Sequence, residues 1–599
     1  MPTTAVIIGT ILHLHQRNSD MKIKYPIAGC IIFIITLGAC KKNNTVDGGT
    51  DTGTGTVTQP VTIIPQTDPS VSKSAGFFLD DWAPKTFTAP LYIDVAQPTG
   101  DATATVTIDY SKVITKVSKY LFGNNTNPYM SQIVTEPVLL NNIKTLSPNI
   151  LRFPGGNISS VYFWNGVVPA DAPANLYDSN GNSVAASYWL GNNTASWTLS
   201  LDNYYSALQQ TNSTGIITIN YSYARYGTSA HPDQVAAHLA ANWVRYDKGK
   251  TKYWEIGNES GGPWQAGWQI DVSQNKDGQP QIITGALYGK HFKVFADSMR
   301  KAAAEVGAQI KIGAQLVQTD PSTSWNAVDK TWNSGLFASA GDYADFYIVH
   351  DYYTSSANID AATILNSPVS ESKAIMDWMN TTTQQGGVTL KPIALTEWNL
   401  FATGSKQMVS NVAGIHATMV LGELLKNQFG MASRWDLANS WANGDDQGMF
   451  NQGDEPDGIT KWSPRPAFYY MYYFQKYFGD RMVSSTVANS ADVLSYASSF
   501  SSGDAGVVLV NKGTATQTLN INIQNFAAGT RYYYYIFTGG SDNGEFSRKV
   551  YINGNGPAGA AGGPSNYLTL SASSSLIAGG IKVSAPPRSV IFLIADGKK

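Results

Sequence analysis

Cysteine and charge are both scarce in this sequence. Its 599 residues include only two cysteines, Cys30 and Cys40, and both lie near the N-terminus. The rest of the chain can therefore form neither a disulfide framework nor a cysteine-based metal site. Charged residues make up 14% of the chain, and 41 Lys and Arg nearly balance 43 Asp and Glu. This balance argues against nucleic acid or an anionic membrane surface as the main partner.

The N-terminal region lacks an apolar run long enough to span a membrane. The run from Ile27 to Leu37 is shorter than the roughly 20 residues that a bilayer requires. It follows the basic start Met21-Lys22-Ile23-Lys24 and precedes Gly38-Ala39-Cys40, which is typical of a secretory signal. The end of this pattern resembles a bacterial lipobox, so Cys40 is predicted to be the lipid attachment site.

Residues 1–40 are therefore predicted to be a signal region, with Met1 or Met21 as the start. An ordinary signal peptide with an incidental cysteine is the alternative. We expect an exported protein that is lipid-anchored to the bacterial outer membrane or cell surface, facing either the periplasm or the outside. Residues 41–88 are rich in Thr, Gly, Asp, Gln and Pro, and we predict that they form a disordered tether.

Aromatic residues, by contrast, are plentiful. They make up 12% of the chain, with 15 Trp and 32 Tyr. Aromatic side chains suit carbohydrate binding, but a large β-rich core produces the same composition. The length leaves room for two or more domains.

Short apolar runs alternate with helical patterns over residues 117–480. In a parallel sheet such runs are buried strands, and helices connect them. Eight of them predict a (β/α)8 TIM barrel of the α/β class, in which chemistry lies at the C-terminal strand ends. The runs are Tyr120–Gly123, Ile150–Phe153, Ile216–Tyr221, Lys252–Ile256, Lys311–Leu316, Asp345–His350, Pro392–Thr396 and Ser433–Leu437.

The segments that flank the barrel have a different pattern. Residues 481–599 contain short strand-like runs separated by Gly, Asn and Pro, without a helical pattern. Residues 89–116 contain two more such runs. We predict that the two segments together form an all-β sandwich domain.

Two predicted strands end in a glutamate close to tryptophan. Glu259 follows the fourth run, with Asn258 beside it and Trp264 nearby, and Glu397 ends the seventh run. An acid, an amide and an indole at one strand end suit sugar chemistry, because they can protonate a glycosidic oxygen, bind a hydroxyl and stack on a ring. A single solvated glutamate would be unremarkable, but two matching strand ends favour a catalytic pair.

The sequence resembles glycoside hydrolase clan A, and within it family 51, the α-L-arabinofuranosidase family. The resemblance covers roughly residues 106–478 and depends on four motifs in family order. They are Leu151-Arg152-Phe153-Pro154-Gly155-Gly156-Asn157, Tyr253-Trp254-Glu255-Ile256-Gly257-Asn258-Glu259 with Gly262-Pro263-Trp264-Gln265, His350-Asp351-Tyr352-Tyr353 and Thr396-Glu397-Trp398-Asn399.

The resemblance implies a retaining mechanism that needs no cofactor or metal. Glu259 is expected to be the acid/base and Glu397 the nucleophile. Substrate contacts are implied for Asn157, Asn258, His350 and Tyr352, and platforms for the sugar are implied for Trp264 and Trp398. For His350 and the two tryptophans, a position in the packed core is the alternative.

The sequence departs from the family at two pocket positions. Asn127 stands where the family has a substrate-binding glutamate after the first strand, and no glutamine matches the one that follows the eighth strand. In the family, both positions belong to the pocket that fits the terminal arabinofuranosyl ring. We therefore expect the catalytic machinery to transfer from the family, with weaker activity on aryl α-L-arabinofuranosides.

The sequence thus predicts a retaining glycoside hydrolase that acts on a plant-type polysaccharide or oligosaccharide. An endo-β-glycanase of the same clan and a non-catalytic glycan-binding lipoprotein are the alternatives, and the oligomeric state is open. A retaining mechanism requires carboxyl groups roughly 5–5.5 Å apart. We also expect the pKa of Glu259 to be raised, because an acid must carry a proton.

Overall fold

The computed structural model describes residues 63–354, 359–402, 404–442 and 447–599. The predicted signal region and Cys40 lie outside these residues. Within them, no helix combines the length and the apolar character that a bilayer crossing demands.

Eight parallel strands close into a barrel, which confirms the predicted fold. The barrel strands, first to eighth, are Gly123–Asn125, Ile150–Phe153, Thr214–Ile219, Tyr253–Ile256, Lys311–Gln315, Phe346–Asp351, Ile393–Trp398 and Met431–Arg434. The α-helices are Pro137–Leu146, Leu201–Thr211, Tyr223–Tyr226, Pro232–Asp247, Gly285–Glu305, Asp329–Ala340, Ala361–Gln385, Asn411–Lys426 and Pro466–Tyr477.

Alternate residues of each barrel strand point inward, and the interior changes character along the strands. At the N-terminal end Ile150, Tyr253 and Phe346 belong to one buried apolar cluster. Two residues further along the second and fourth strands, Arg152 and Glu255 form a fully buried ion pair. Because every second side chain points inward, the same strands supply an apolar floor and a polar upper layer.

The barrel floor is closed by a segment that was predicted to be part of a disordered tether. A 3-10 turn at Gly76–Leu79 buries Phe78 against Tyr120, Tyr253 and Phe346. The Ser74 carbonyl accepts a hydrogen bond from the backbone of the seventh barrel strand. The tether prediction is therefore wrong for this part of residues 41–88, because an aromatic cluster follows the polar composition and the barrel supplies the apolar surface that it covers.

The other domain is built on one mixed sheet of eleven strands. The strand Ala104–Lys116 pairs with Arg481–Ala488 and Gln517–Gln524, so the N-terminal segment completes the C-terminal domain, as predicted. Strands from the middle and from one end of the sheet share one core, so the sheet folds over on itself. Its other strands are Tyr92–Asp94, Val493–Ser499, Ala505–Asn511, Ala528–Thr538, Tyr551–Ile552, Ala572–Leu576, Ile581–Ala585 and Ser589–Gly597.

Short strand pairs lie in the loops at the C-terminal end of the barrel. The loop between the second barrel strand and the helix Leu201–Thr211 contains two of these pairs, and the segment after the eighth strand contains a third. They are Tyr162–Phe163 with Trp189–Leu190, Asn175–Tyr177 with Ser183–Ala185, and Ala438–Asn439 with Phe450–Asn451.

Candidate active site

Glu259 and Glu397 both lie at the C-terminal end of the barrel, on its fourth and seventh strands. Glu259 follows a tight turn after Ile256, in which Gly257 has φ 83° and Glu259 itself has φ 43°. A non-glycine residue in this left-handed region is uncommon and often marks a functional site. On the seventh strand the pairing register shifts between Leu395 and Trp398, and such irregularities redirect side chains.

The two carboxylates are close together, and His350 lies between them. His350 Nδ1 is 3.0 Å from Glu259 Oε1 and 3.8 Å from Glu397 Oε2. One carboxylate oxygen of each glutamate and one ring nitrogen of His350 all lie within 4.8 Å of one another. The two carboxylates are therefore immediate neighbours at the mouth of the barrel.

Arg152 connects the nucleophile candidate to the polar layer of the barrel. Its guanidinium donates to Glu397 Oε1 at 2.7 Å and to Glu255 Oε2 at 2.6 Å. It also donates to Asn125 Oδ1 at 3.0 Å and to Asn258 Oδ1 at 2.8 Å. A buried arginine with this many acceptors holds Glu397 in one orientation.

The free site keeps its proton on His350 rather than on Glu259. Burial raises the pKa of Glu259, but the hydrogen bond and charge of His350 and the Trp264 N–H outweigh it, so the pKa is lowered overall. Burial lowers the pKa of His350, but the charge of Glu397 and the hydrogen bond to Glu259 outweigh it and raise the pKa overall. The expected raised pKa of Glu259 is therefore wrong for the free site, because the sequence did not reveal how closely His350 approaches.

Asn258 and Tyr352 complete the surroundings of Glu397. The Tyr352 hydroxyl donates to Glu397 Oε2 at 2.9 Å. Asn258 Oδ1 accepts a hydrogen bond from Arg152. The other polar atom of this side chain, Nδ2, is buried and has no hydrogen-bond partner among the described residues. A buried amide donor without a partner is costly, so Nδ2 is available for a substrate hydroxyl.

The three remaining residues from the motifs differ in their access to the site. The Trp264 indole is half-buried, and its Nε1 donates to Glu259 Oε2 at 2.7 Å. Asn157 is exposed, and its Oδ1 accepts a hydrogen bond from Gln265. Trp398 is fully buried. The register shift turns the Glu397 side chain toward the barrel interior, so the Trp398 side chain points outward and packs in the core between the barrel and the helices. The prediction that Trp398 offers a platform to sugar is therefore wrong.

A second polar group lies where the eighth barrel strand adjoins the first. Asn127 and Asp436 are both buried, and the Asn127 amide donates to Asp436 Oδ2 and, at 2.8 Å, to the Tyr129 hydroxyl. Burial raises the pKa of Asp436 to about 7, although Arg434 and Arg465 oppose the shift. The half-buried Trp435 ring covers Gly156, where an added Cβ would approach the ring to 2.5 Å.

The sequence contained signs of several site residues that the motif-based reasoning missed. Arg152 and Glu255 are charged residues inside strands that are otherwise apolar, which marks them as a buried pair. Asp436 was overlooked because the predicted eighth strand extended to Leu437, whereas the strand ends at Arg434 and leaves Asp436 in the loop.

Glu259, His350 and Glu397 also form the one cluster in the described part of the chain with metal-ligand spacing. Hydrogen bonds from Arg152, Tyr352 and Trp264 already occupy the carboxylate oxygens. This donor set favours protonation chemistry over the binding of a cation.

Comparisons with known proteins show which families this chain resembles. Residues 142–365 match the model of the alpha-L-arabinofuranosidase 1 domain. An intracellular exo-alpha-(1->5)-L-arabinofuranosidase from Acetivibrio thermocellus is 26% identical over 220 residues. The alignment covers 36% of this chain and 38% of that relative, so the chain matches well under half of the relative's length.

Solved structures share the fold over most of the chain. The GH51 alpha-L-arabinofuranosidase from Thermotoga petrophila has a TM-score of 0.55 at 17% identity, and the match covers 82% of this chain and all of that one. CelM2, a bifunctional glucanase-xylanase from a metagenome library, has a TM-score of 0.53 at 14% identity, over 83% of this chain and all of that one. The CelM2 likeness concerns the fold alone, whereas the matched domain model, the relative from Acetivibrio thermocellus and the GH51 structure together confirm that the chain resembles glycoside hydrolase family 51.

Proposed function

We propose that this protein is a retaining glycoside hydrolase that releases α-L-arabinofuranosyl groups from a plant-type polysaccharide or oligosaccharide. The observation that carries the proposal is the pair Glu259 and Glu397, with carboxylate oxygens within 4.8 Å of each other. Retaining enzymes have their carboxyl groups roughly 5–5.5 Å apart, whereas inverting enzymes need about 6.5–9.5 Å to admit a water.

In the first step, Glu397 attacks the anomeric carbon and the glycosidic oxygen leaves with a proton from Glu259. Arg152 and Tyr352 orient the attacking carboxylate. Glu259 receives its proton from His350 Nδ1, which lies 3.0 Å away. Glu397 loses its negative charge when it forms the covalent bond. Since that charge raised the pKa of His350, its loss favours proton transfer from His350 to Glu259.

In the second step, ionised Glu259 takes a proton from water, and the water oxygen attacks the anomeric carbon. The bond to Glu397 breaks, and the sugar leaves with its original configuration. As Glu397 regains its charge, the proton returns from Glu259 to His350 Nδ1, which restores the free site. The unpartnered Asn258 Nδ2 is placed to donate to a sugar hydroxyl beside the nucleophile throughout.

The substrate class is supported by the arabinofuranosidase domain model and by the named activity of the curated relative. A hydrolysis screen on arabinan, arabinoxylan, xylan and β-glucans tests it. We expect arabinose release, with proton NMR showing that the first-formed anomer has the configuration of the substrate. Inversion, or release of other sugars alone, would contradict the proposal.

A second candidate, an endo-β-glycanase, is favoured by exposed indoles on the rim of the barrel. Trp197 and Trp325 are 52% and 63% exposed. Trp197 lies in a loop that contacts the loop after the first barrel strand, and Trp325 lies in the loop after the fifth strand, on the other side of the barrel. Internal cleavage would produce a ladder of oligosaccharides from the polymer, whereas removal of terminal groups gives the monosaccharide from the start.

We also propose that the protein is exported and anchored to a bacterial membrane through a lipid on Cys40, since the sequence from Met21 to Cys40 has the order of a lipoprotein signal. Membrane fractionation of Cys40→Ala tests this. The variant should move to the soluble fraction, and a variant that remains with the membrane like the parent would exclude this attachment site.

A further inference from the structure

Asn127 and Asp436 occupy equivalent places on adjacent strands. Asn127 is two residues past the first barrel strand, which ends at Asn125, and Asp436 is two residues past the eighth, which ends at Arg434. These strands pair in parallel and close the barrel. Both side chains are therefore at the same level of the barrel mouth, where the amide nitrogen of Asn127 donates to Asp436 Oδ2.

One oxygen of each side chain has no partner. Among the described residues, neither Asp436 Oδ1 nor Asn127 Oδ1 accepts a hydrogen bond, and both atoms are buried. Asp436 is 1% exposed and Asn127 is 0% exposed. Buried acceptors without donors are uncommon in native proteins. Two such acceptors on touching side chains suit a ligand with two neighbouring O–H groups.

This pair lies on the nucleophile side of the site. Asn125 ends the first barrel strand, and its Oδ1 accepts from Arg152 Nη1, the same nitrogen that donates to Glu397 Oε1. The Asn125 Nδ2 also donates, at 3.3 Å, to the carbonyl of Arg434, which ends the eighth strand two residues before Asp436. The pair of Asn127 and Asp436 therefore adjoins the side of the site that holds Glu397.

We propose that Asp436 is a specificity-determining residue that accepts a hydrogen bond from a hydroxyl of the sugar bound at Glu397, while Asn127 orients it and accepts from a neighbouring hydroxyl. The acidic group of the sugar pocket is thereby supplied by the eighth strand and the amide by the first. This inference rests on the proposed glycoside hydrolase function and identifies how that site selects its sugar.

An exchange of the two side chains tests this arrangement. The variants are Asp436→Asn, Asn127→Asp and the double variant N127D/D436N, which keeps one carboxylate and one amide in contact. Glu423→Gln is the control, because Glu423 is a buried carboxyl with a raised pKa that accepts from Tyr496, far along the helix from the barrel mouth. The readouts are kcat and KM on a glycoside that the parent hydrolyses, with the melting temperature of every variant.

At pH 8, above the pKa of about 7 to which burial raises Asp436, Asp436→Asn should lower kcat/KM by about 10- to 150-fold, the range for a lost hydrogen bond to a charged group. Asn127→Asp should lower it as well, because two adjacent buried carboxylates repel each other. The double variant should recover to within about tenfold of the parent, which is non-additive behaviour that a general loss of packing would not produce. Glu423→Gln should match the parent.

A value of kcat/KM for Asp436→Asn within threefold of the parent would overturn the inference. So would a double variant that shows the summed loss of the single ones, or a failure of both Asp436 variants to fold, which would assign Asp436 a structural role. Failure of the proposed function has a different signature, since the parent itself would then hydrolyse no glycoside.

Discussion

The two ends of the barrel are built from the same strands but have opposite chemistry. At the N-terminal end, Phe78 closes a floor of apolar and aromatic side chains that includes Tyr253 and Phe346. At the C-terminal end, Arg152 and Glu255 begin a layer of buried charges that extends to Glu397. Only one residue, Trp254, separates Tyr253 from Glu255 on the fourth strand.

The difference shows how the fold separates stability from catalysis. Burial of apolar surface at the floor is favourable by itself. A buried charge layer is expensive to desolvate and depends on every partner being present. Substitutions at the two ends should therefore produce distinct losses: activity at the charged end, and stability at the apolar end.

The largest effect is expected at the nucleophile. Glu397→Ala should lower kcat on the order of 10⁴-fold or more, because no other group near the anomeric carbon can form the covalent intermediate. Added azide should restore part of the turnover and yield a sugar azide of inverted configuration. Product analysis by NMR checks this, and an azide product with retained configuration would exclude Glu397 as the nucleophile.

The next effect concerns the acid. Glu259→Ala should lower kcat/KM by about 10²–10⁴-fold on substrates with poor leaving groups, and far less on activated aryl glycosides, which need no protonation. A series of aryl glycosides with graded leaving groups measures the contrast. Equal losses across the series would remove Glu259 from the acid role.

At the opposite end, Phe78→Ala should lower the free energy of unfolding by about 3–5 kcal/mol, because it opens a cavity in the floor. Urea denaturation measures the loss, and KM should remain that of the parent. Phe77→Ala is the matched control, since Phe77 is only partly buried and should cost less than half as much. A raised KM in the Phe78 variant would show that the two ends are coupled.

Measured per pH unit, the smallest effect is a pH dependence at the charged end. Burial raises the pKa of Asp436 to about 7, so the folded state keeps a proton that the unfolded state has already released. Stability therefore falls as the pH rises from about 4 to about 7, by at most about 1.4 kcal/mol per pH unit. Asp436→Asn should remove this decline. Denaturation at pH 4.5, 6 and 8 measures the free energy of unfolding, and equal changes of that free energy with pH in parent and variant would contradict the prediction.

The sequence predicted the barrel, the added β domain and the position of both glutamates. Strand periodicity and the turn after Ile256 were sufficient, because they depend on local pattern. The sequence did not reveal that Trp398 faces outward, since a register shift between neighbouring strands decides this. It also could not reveal the lowered pKa of Glu259, which depends on a contact with His350 across 91 residues of sequence.

The predictions for the tether and for the end of the eighth strand were wrong for a different reason. Composition is averaged over a window, and the polar residues before Phe77 hid a short aromatic segment whose binding surface belongs to distant strands. Asp436 was missed because an apolar residue, Leu437, extended the predicted strand past its true end. The first error depends on partners remote in sequence, and the second on an apolar residue next to the strand.

The aromatic closure of the barrel floor also bears on how the two domains are held together. The described chain starts along the β domain, where Gln66 contacts Tyr110 and Ser499, and then passes beneath the barrel at Phe78. This segment therefore joins the β domain to the end of the barrel that lies opposite Glu259 and Glu397. A substitution at Phe78 that loosens the floor should accordingly also loosen the contact between the two domains, without reaching the mouth of the cleft.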